Sequence, residues 1–330
     1  MEKKLVLAID FNNLIYCCWN SRKWHTPDGR EVGAVINLIN KIISLKDQFD
    51  PDYLVFASDL SRTQTFRRKL YPMYKAQRAP TATEIQKQMQ LSSHILALLG
   101  YPIINDMNFE GDDVLGMISR LAEDNNMNCI IVSCDHDMYQ LITENTWVMD
   151  VRRNILIDID EVYNSTGLYP SQWVDYKILL GDNSDNIPGV PNIGKKSAPA
   201  LIRQYGSLSN IYNHISEINP AHQAGLLDAQ QRLDLLYKLM TIVTDYTKLN
   251  ITVDKLRRME PFTLELAQEL RSFGNLGFMN AVKFNLMRPY RDKRDLAERK
   301  ELVVTQAVNS LDKEYNYPIT EGGKNNDSAA

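Results

Sequence analysis

Three short, almost unbroken apolar runs mark the first half of the chain: KLVLAID at residues 4–10, YLVFASD at 53–59 and NCIIVSCD at 128–135. Each is too brief for a helix, and near-continuous apolar runs of this length are the mark of parallel strands buried on both faces. Between them, residues 33–45 and 86–99 carry apolar positions at helical spacing, so strand and helix alternate and an α/β sheet of βαβ units is predicted. The turn Pro27-Asp28-Gly29 precedes the first of these helices and Gly100-Tyr101-Pro102 stops the second, because glycine and proline punctuate regular structure. A further helix is expected after Glu110-Gly111-Asp112-Asp113. From about residue 167 the strand signal fades, and 173–180, 195–205 and 231–243 read as helices of a second module. Residues 315–330, ending EGGKNNDSAA, lack apolar period and read as a disordered tail. The predicted organisation is an α/β unit over 1–165, a helical unit over 166–300 and a tail over 301–330.

Each of the three predicted strands ends in an acid. In open α/β sheets ligands sit beyond the carboxyl ends of the strands, and nine carboxylates fall there or at helix starts: Asp10, Asp59, Glu110, Asp112, Asp113, Asp135, Asp137, Asp182 and Asp185. So much negative charge in one cleft calls for a cation, and hard divalent ions such as Mg²⁺ or Mn²⁺ prefer carboxylate and water oxygens. A phosphate-bearing substrate follows from that chemistry. Helix capping accounts for one acid of the 110–113 group but not for three, and Glu110 and Asp113, three apart, share a helix face. Asp10 suits an N-cap of the next helix equally well. Asp135 and Asp137 alternate at a strand end and can feed one site, with the intervening His136 expected to point away.

Composition changes this picture little. The chain has 330 residues, 44% apolar and 24% charged, which is ordinary for a globular protein. Its net charge of −4 argues against a nucleic-acid partner only until the nine clustered acids are set aside; 32 acids then face 37 bases, a remainder of +5. No run of eighteen apolar residues and no leader pattern is present, so a cytoplasmic protein, in the nucleoid or in a host cell if viral, is expected. Cys17, Cys18, Cys129 and Cys134 form no CxxC pair and have no histidine cluster beside them, so they are read as reduced, structural thiols rather than a zinc site.

Two segments carry positive charge. Between Leu60 and Thr83 stand six bases, Arg62, Arg67, Arg68, Lys69, Lys75 and Arg78, without an acid and with Phe66, Tyr71 and Tyr74 interleaved. Bases hold phosphates and aromatics stack on exposed nucleobases; a solvated charge run is the alternative. At Gly181 the chain reads GDNSDNIPGVPNIGKKSAPALI, two acids three apart before a glycine-bounded hairpin and a basic helix. Glycines allow close backbone approach, and the helix start with Lys195 and Lys196 can cradle a phosphate without reading sequence.

Four stretches in this order, TFRRKLYPMYKAQRAP at Thr65, FEGDDVLG at Phe109, SCDHDMYQLI at Ser133 and GDNSDNIPGVPNIGKKSA at Gly181, resemble the structure-specific 5′ nuclease family. That family includes flap endonucleases, phage 5′ exonucleases and the 5′ nuclease domain of bacterial DNA polymerase I. The resemblance implies a PIN-like, mostly parallel sheet flanked by helices, followed by a helix-three-turn-helix module of helix-hairpin-helix type. It implies a metal-dependent 5′-3′ exonuclease or 5′ flap endonuclease acting in DNA replication or repair, of the free-standing kind because no polymerase sequence follows. Two Mg²⁺ ions, replaceable by Mn²⁺, would be held by the nine acids: the first by Asp10, Asp59, Glu110 and Asp112, with Asp113 bridging toward the second at Asp135, Asp137, Asp182 and Asp185. Residues 60–98 would form the family's helical arch, with Lys75, Arg67 and Arg78 on the scissile phosphate and Tyr74 stacking on a base. Arg62, Arg68 and Lys69 would add DNA contacts. The hairpin over 188–194, through Gly189, Val190, Ile193 and Gly194 with Lys195 and Lys196, would grip the duplex and hold a K⁺ on its carbonyls. The implied partners are DNA with a 5′ end or flap, RNA–DNA primer hybrids, and a separately encoded polymerase or single-strand-binding protein, with the chain itself a monomer away from membranes.

Two features depart from the family pattern. Ser58-Asp59 carries one extra residue between strand and arch, and Pro199 falls inside the helix after the hairpin. Two other readings use part of the pattern: a PIN-like ribonuclease, which needs no duplex-gripping hairpin, and a non-catalytic clamp for branched DNA, whose acid set should be incomplete.

Overall fold

The computed structural model describes residues 3–60 and 63–287. Arg62 and the tail over 301–330 lie outside the described residues. The first unit comprises β1 (Leu5–Asp10), α1 (Phe11–Trp19), α2 (Gly33–Phe49), β2 (Tyr53–Ala57), α3 (Phe66–Leu70), α4 (Thr83–Leu98), β3 (Ile103–Ile104), α5 (Gly111–Asp124), β4 (Asn128–Val132), β5 (Thr146–Asp150), β6 (Ile155–Ile157) and α6 (Ile159–Thr166). The remainder comprises α7 (Trp173–Leu180), β7 (Gly181–Asp182), β8 (Ile187–Pro188), α8 (Ser197–Tyr205), α9 (Leu208–Asn213), α10 (Pro220–Ala229), α11 (Leu233–Met240), α12 (Thr263–Ser272) and α13 (Leu276–Asn285).

The three predicted strands are the centre of a six-stranded sheet ordered β3-β2-β1-β4-β5-β6, parallel except for the antiparallel edge strand β6. Alternation of side chains feeds two cores. Leu7, Ile9, Leu54, Phe56, Ile130 and Val132 face α1, α2 and α4, whereas Val6, Ala8, Val55, Cys129 and Ile131 face α5. Burying each large apolar side chain contributes about 1.5–3 kcal/mol, so a sheet covered on both faces needs no further device to hold its strands in place.

A third core joins α7, α8, α9, α10 and α11 with the β7–β8 ribbon. The helices α12 and α13 do not belong to it. Leu266, Leu270, Phe273, Phe278 and Val282 pack into the first core beside α2 and α4, so the helical unit expected over 166–300 divides, its last two helices returning to the sheet domain. Pro199 is the third residue of α8, where the N–H it lacks would have had no helical partner. The chain therefore accepts it.

Gly181 and Gly189 meet back to back across the ribbon: a Cβ on Gly181 would lie 2.2 Å from the Gly189 nitrogen, and one on Gly189 would lie 2.4 Å from the Leu180 carbonyl carbon. Gly181 also has φ +76°, a left-handed conformation that favours glycine. The close approach expected at Gly189 is thus internal to the protein. Of Gly181, Gly189 and Gly194, the last alone faces open space.

Candidate active site

The acids are carried to one edge by the chain's simplest geometry. Asp10 ends β1 and caps α1, its Oδ1 accepting from the Asn13 N–H at 2.9 Å while Oδ2 accepts from Ser133 Oγ at 2.9 Å. Asp59 lies two residues beyond β2, and despite the extra residue its Oδ1 accepts from the Gly111 N–H at 2.7 Å, at the start of α5. Asp112 is in the first turn of that helix. Asp135 follows β4, where it accepts from the Asp137 N–H and its own N–H donates to Ser133 Oγ at 3.1 Å. Burial first, then repulsion from Asp59 and Asp135, pushes the Asp10 carboxyl up to about 7. Burial and then Asp10 and Asp135 hold Asp112 well above the carboxylate range, against the opposing pull of Lys75.

The other five acids face cations of the chain. Lys75, with φ +51°, is pinned by its N–H to the Asp185 carbonyl at 2.9 Å, and its Nζ lies 2.6 Å from Glu110 Oε1 and 3.7 Å from Asp185. Arg78 meets the same Asp185 at 2.6 Å. Although burial opposes it, Lys75 and then Arg67 hold Glu110 below the usual range. Lys177 of α7, a residue the sequence reading overlooked, places its Nζ 2.6 Å from both Asp137 and Asp182. Burial and Asp135 still push Asp137 up to about 6, whereas Lys177 keeps Asp182 low in spite of its burial. The only sequence signal for Lys177 is its position five residues before Asp182 on a helix whose one other charged residue is Asp175.

Several expected roles are corrected. Arg67 is 3% exposed and spends all five N–H donors inside the protein: on Leu239 O, Thr241 O, Glu110 and twice on Asp113. It has none for a phosphate. Asp113, fully buried, accepts from Arg67 at 2.6 and 2.7 Å, from the Glu110 N–H at 3.1 Å and from the Val243 N–H at 2.9 Å. Four bonds use its lone pairs, so it cannot bridge metals. Tyr74 sits in the helical core with its hydroxyl donating to Glu110 at 2.7 Å, which leaves no face for a nucleobase. Val190 and Ile193 are likewise core side chains, and the Val190 and Ile193 N–H groups are bonded within the chain. Arg68 donates to the Tyr74 carbonyl and Lys69 to Asn108, whereas Lys195 and Lys196 stand exposed at the start of α8. His136 is exposed and stacks on Tyr139, clear of the acids as expected.

Among the described residues no three His, Cys, Asp or Glu side chains already stand in coordinating geometry. Lysine and arginine pair with five of the acids. The donor chemistry nevertheless fits a hard divalent ion: the groups are oxygens only, and burial first, then the neighbouring acids, disfavours the charged forms of Asp10 and Asp112.

Two family models cover most of the chain: the 5′-3′ exonuclease N-terminal resolvase-like domain over residues 5–167 and the 5′-3′ exonuclease C-terminal SAM fold over residues 168–263. The chain belongs to the 5′-3′ exonuclease family. Among curated relatives, the 5′-3′ exonuclease of Buchnera aphidicola subsp. Baizongia pistaciae is 32% identical over 269 residues, covering 79% of this chain and 88% of that one. The thermostable DNA polymerase I of Thermus thermophilus is 36% identical over 261 residues, 78% of this chain but 31% of the polymerase. The chain thus spans about a third of the length of the polymerase relatives. In fold it matches the bacteriophage T5 D15 flap endonuclease, solved with DNA and metal ions, at TM-score 0.61 and 18% identity over 82% of this chain and 100% of that one. The Rad2 catalytic core with DNA substrate gives TM-score 0.55 at 15% identity over 87% and 93%. The mostly parallel resolvase-like sheet with its helical SAM-fold partner is the fold of the 5′-3′ exonuclease family. Among the described residues no helix is long and apolar enough to cross a membrane.

Proposed function

We propose that this 5′-3′ exonuclease hydrolyses DNA phosphodiesters near a free 5′ end or at the base of a 5′ flap, with divalent Mg²⁺ or Mn²⁺ held by Asp10, Asp59, Asp112 and Asp135 and a second ion near Glu110, Asp137, Asp182 and Asp185. The observation that carries this reading is the convergence of Asp10, Asp59, Asp112 and Asp135, with Ser133 linking Asp10 to Asp135 and Asp59 accepting from the N–H that opens the helix of Asp112; burial first, and then these neighbours, disfavour the charges of Asp10 and Asp112. Natural chains retain such an arrangement where a cation relieves it. When bound, divalent ions supply an acidic water as nucleophile and offset charge on the leaving oxygen.

The chain's own groups do the rest. Lys75 and Arg78 converge on Asp185 at the cleft edge, where their charge meets non-bridging phosphate oxygens, and Lys177 contributes a third cation between Asp137 and Asp182. Arg67 fixes the acid motif rather than the substrate. Lys195 and Lys196 at the α8 start hold the duplex backbone through phosphate contacts. Incubating the protein with an end-labelled duplex bearing a 5′ flap, in Mg²⁺ or in EDTA, tests the proposal. Mg²⁺-dependent cuts near the branch or a ladder of short 5′ products support it, and tight binding without cleavage in either Mg²⁺ or Mn²⁺ overturns it.

A further inference from the structure

Cys17 and Cys134, 117 residues apart in sequence, place their sulfurs 3.8 Å apart between α1 and the loop after β4. Both are half-buried, so small solutes reach them, whereas Cys18 and Cys129 are buried. Arg152 Nε points at Cys17 Sγ from 3.2 Å, and the neighbouring Arg153 is taken up by Asp150 at 2.7 Å, so the Arg152 cation is directed at the sulfur. Hydrogen bonding with Cys134 first, and then Arg152, draws the Cys17 thiol down to about 6 against the opposing effect of burial. A thiolate beside a guanidinium and within reach of a second thiol is the arrangement of a peroxide-sensitive pair.

We propose that Cys17 and Cys134 are a reversible modification site that takes a hydroperoxide and closes to a disulfide, slowing the nuclease. The Cys17 thiolate attacks the peroxide's outer oxygen, breaking the O–O bond and leaving a sulfenic acid and an alkoxide or hydroxide that takes up a proton. The Cys134 thiol then attacks the sulfenic sulfur, water leaves, and the S–S bond forms. Two thiols are oxidised and one peroxide is reduced. Dithiol reductants reverse the bond by thiol exchange.

The disulfide acts on the acids through two short tethers. Asn13 Oδ1 accepts from the Cys134 N–H at 3.0 Å and the Asn13 N–H donates to Asp10, while Ser133 links Asp10 to Asp135. Closing the sulfurs from 3.8 Å to the bonded distance of about 2.05 Å draws α1 and the Asp135 loop together. A displacement near 1 Å in a site of this kind costs about 10²-fold in rate.

The effect on cleavage rests on the nuclease reading; formation of the bond does not. The full chain is reduced, freed of reductant, treated with hydrogen peroxide and blocked at its remaining thiols. Intact mass and peptide mapping then follow the bond, and flap-duplex cleavage in Mg²⁺ follows its consequence. The expected result is loss of two hydrogens, a linked Cys17–Cys134 peptide and cleavage lowered by about tenfold or more, restored by dithiothreitol. Cys17→Ser and Cys134→Ser should cleave as the reduced wild type does and lose no comparable activity in peroxide, while Cys18→Ala still forms the link. Absence of the linked peptide, a link without slower cleavage, or equal peroxide sensitivity in Cys17→Ser overturns the proposal. If the reduced protein cuts no DNA at all, the nuclease reading fails while the linked peptide still decides the thiol chemistry.

Discussion

Asp112 and Asp113 are neighbours in the first turn of one helix, and they live under opposite electrostatic rules. Asp113 is locked into a bidentate pair with Arg67 and two backbone N–H groups, whereas Asp112 is pushed upward by burial and by Asp10 and Asp135. One carboxylate is compensated within the chain and holds structure; the other strains against its neighbours and is free to serve a ligand. Adjacent identical residues in a single motif can therefore divide the work of folding and chemistry, and the motif itself does not say which does which.

The largest expected difference lies in activity. Asp112→Asn should lower Mg²⁺-dependent cleavage by about 10³-fold or more, as loss of a principal charge-stabilising group does. Without metal it should leave thermal stability unchanged or raised, since it removes a buried carboxyl whose charged form burial and its neighbours disfavour. A variant that cut as fast as wild type would place the metal elsewhere. Asp113→Asn sharpens the contrast from the other side. It strands the buried Arg67 charge, so chemical denaturation should show a loss of about 3–5 kcal/mol. A loss under 1 kcal/mol would mean that the pair is not the anchor described.

The smallest effect is the pH response. Asp10 has its folded value raised to about 7, well above the ordinary carboxyl value of about 3.9. In metal-free protein the folded state thus holds the extra proton, and stability falls as pH rises through that window. Added Mg²⁺ reverses the trend, because the ion binds the ionised form. Differential scanning fluorimetry should show a larger Mg²⁺-induced rise in Tm at pH 8 than at pH 5.5. An equal rise at both would remove Asp10 from the ion's surroundings.

The frame of this arrangement was legible in the sequence. Runs of four to five apolar residues gave away β1, β2 and β4, and the acids that follow them landed at one edge. The two-residue β3 and three-residue β6 carry too little pattern to read, and α12 and α13 could not be assigned to a core because amphipathicity does not name the partner face. The acid set was visible as a set, but its division was not. The groups that decide it arrive from far away: Arg67 to Asp113 across 46 residues and Val243 to Asp113 across 130. Arg67 and Tyr74 are expected on the substrate because the resemblance puts their segment in the arch, and a five-residue helix is too short for the burial of Arg67 to show as periodicity.

The foot of the basic segment has a mechanical meaning. Tyr74 contributes its ring to the core of the helical module and its hydroxyl to Glu110, while Arg67 ties Glu110 and Asp113 to the carbonyls of Leu239 and Thr241. The two halves matched by separate family models, meeting at residues 167 and 168, are laced through each other by residues that belong in sequence to only one of them. Separating the halves there would strip one core of a tyrosine and take two carbonyl acceptors from the Arg67 guanidinium in the other. The seam that recurs between the two domain families is thus bridged in this molecule by side chains buried on its far side.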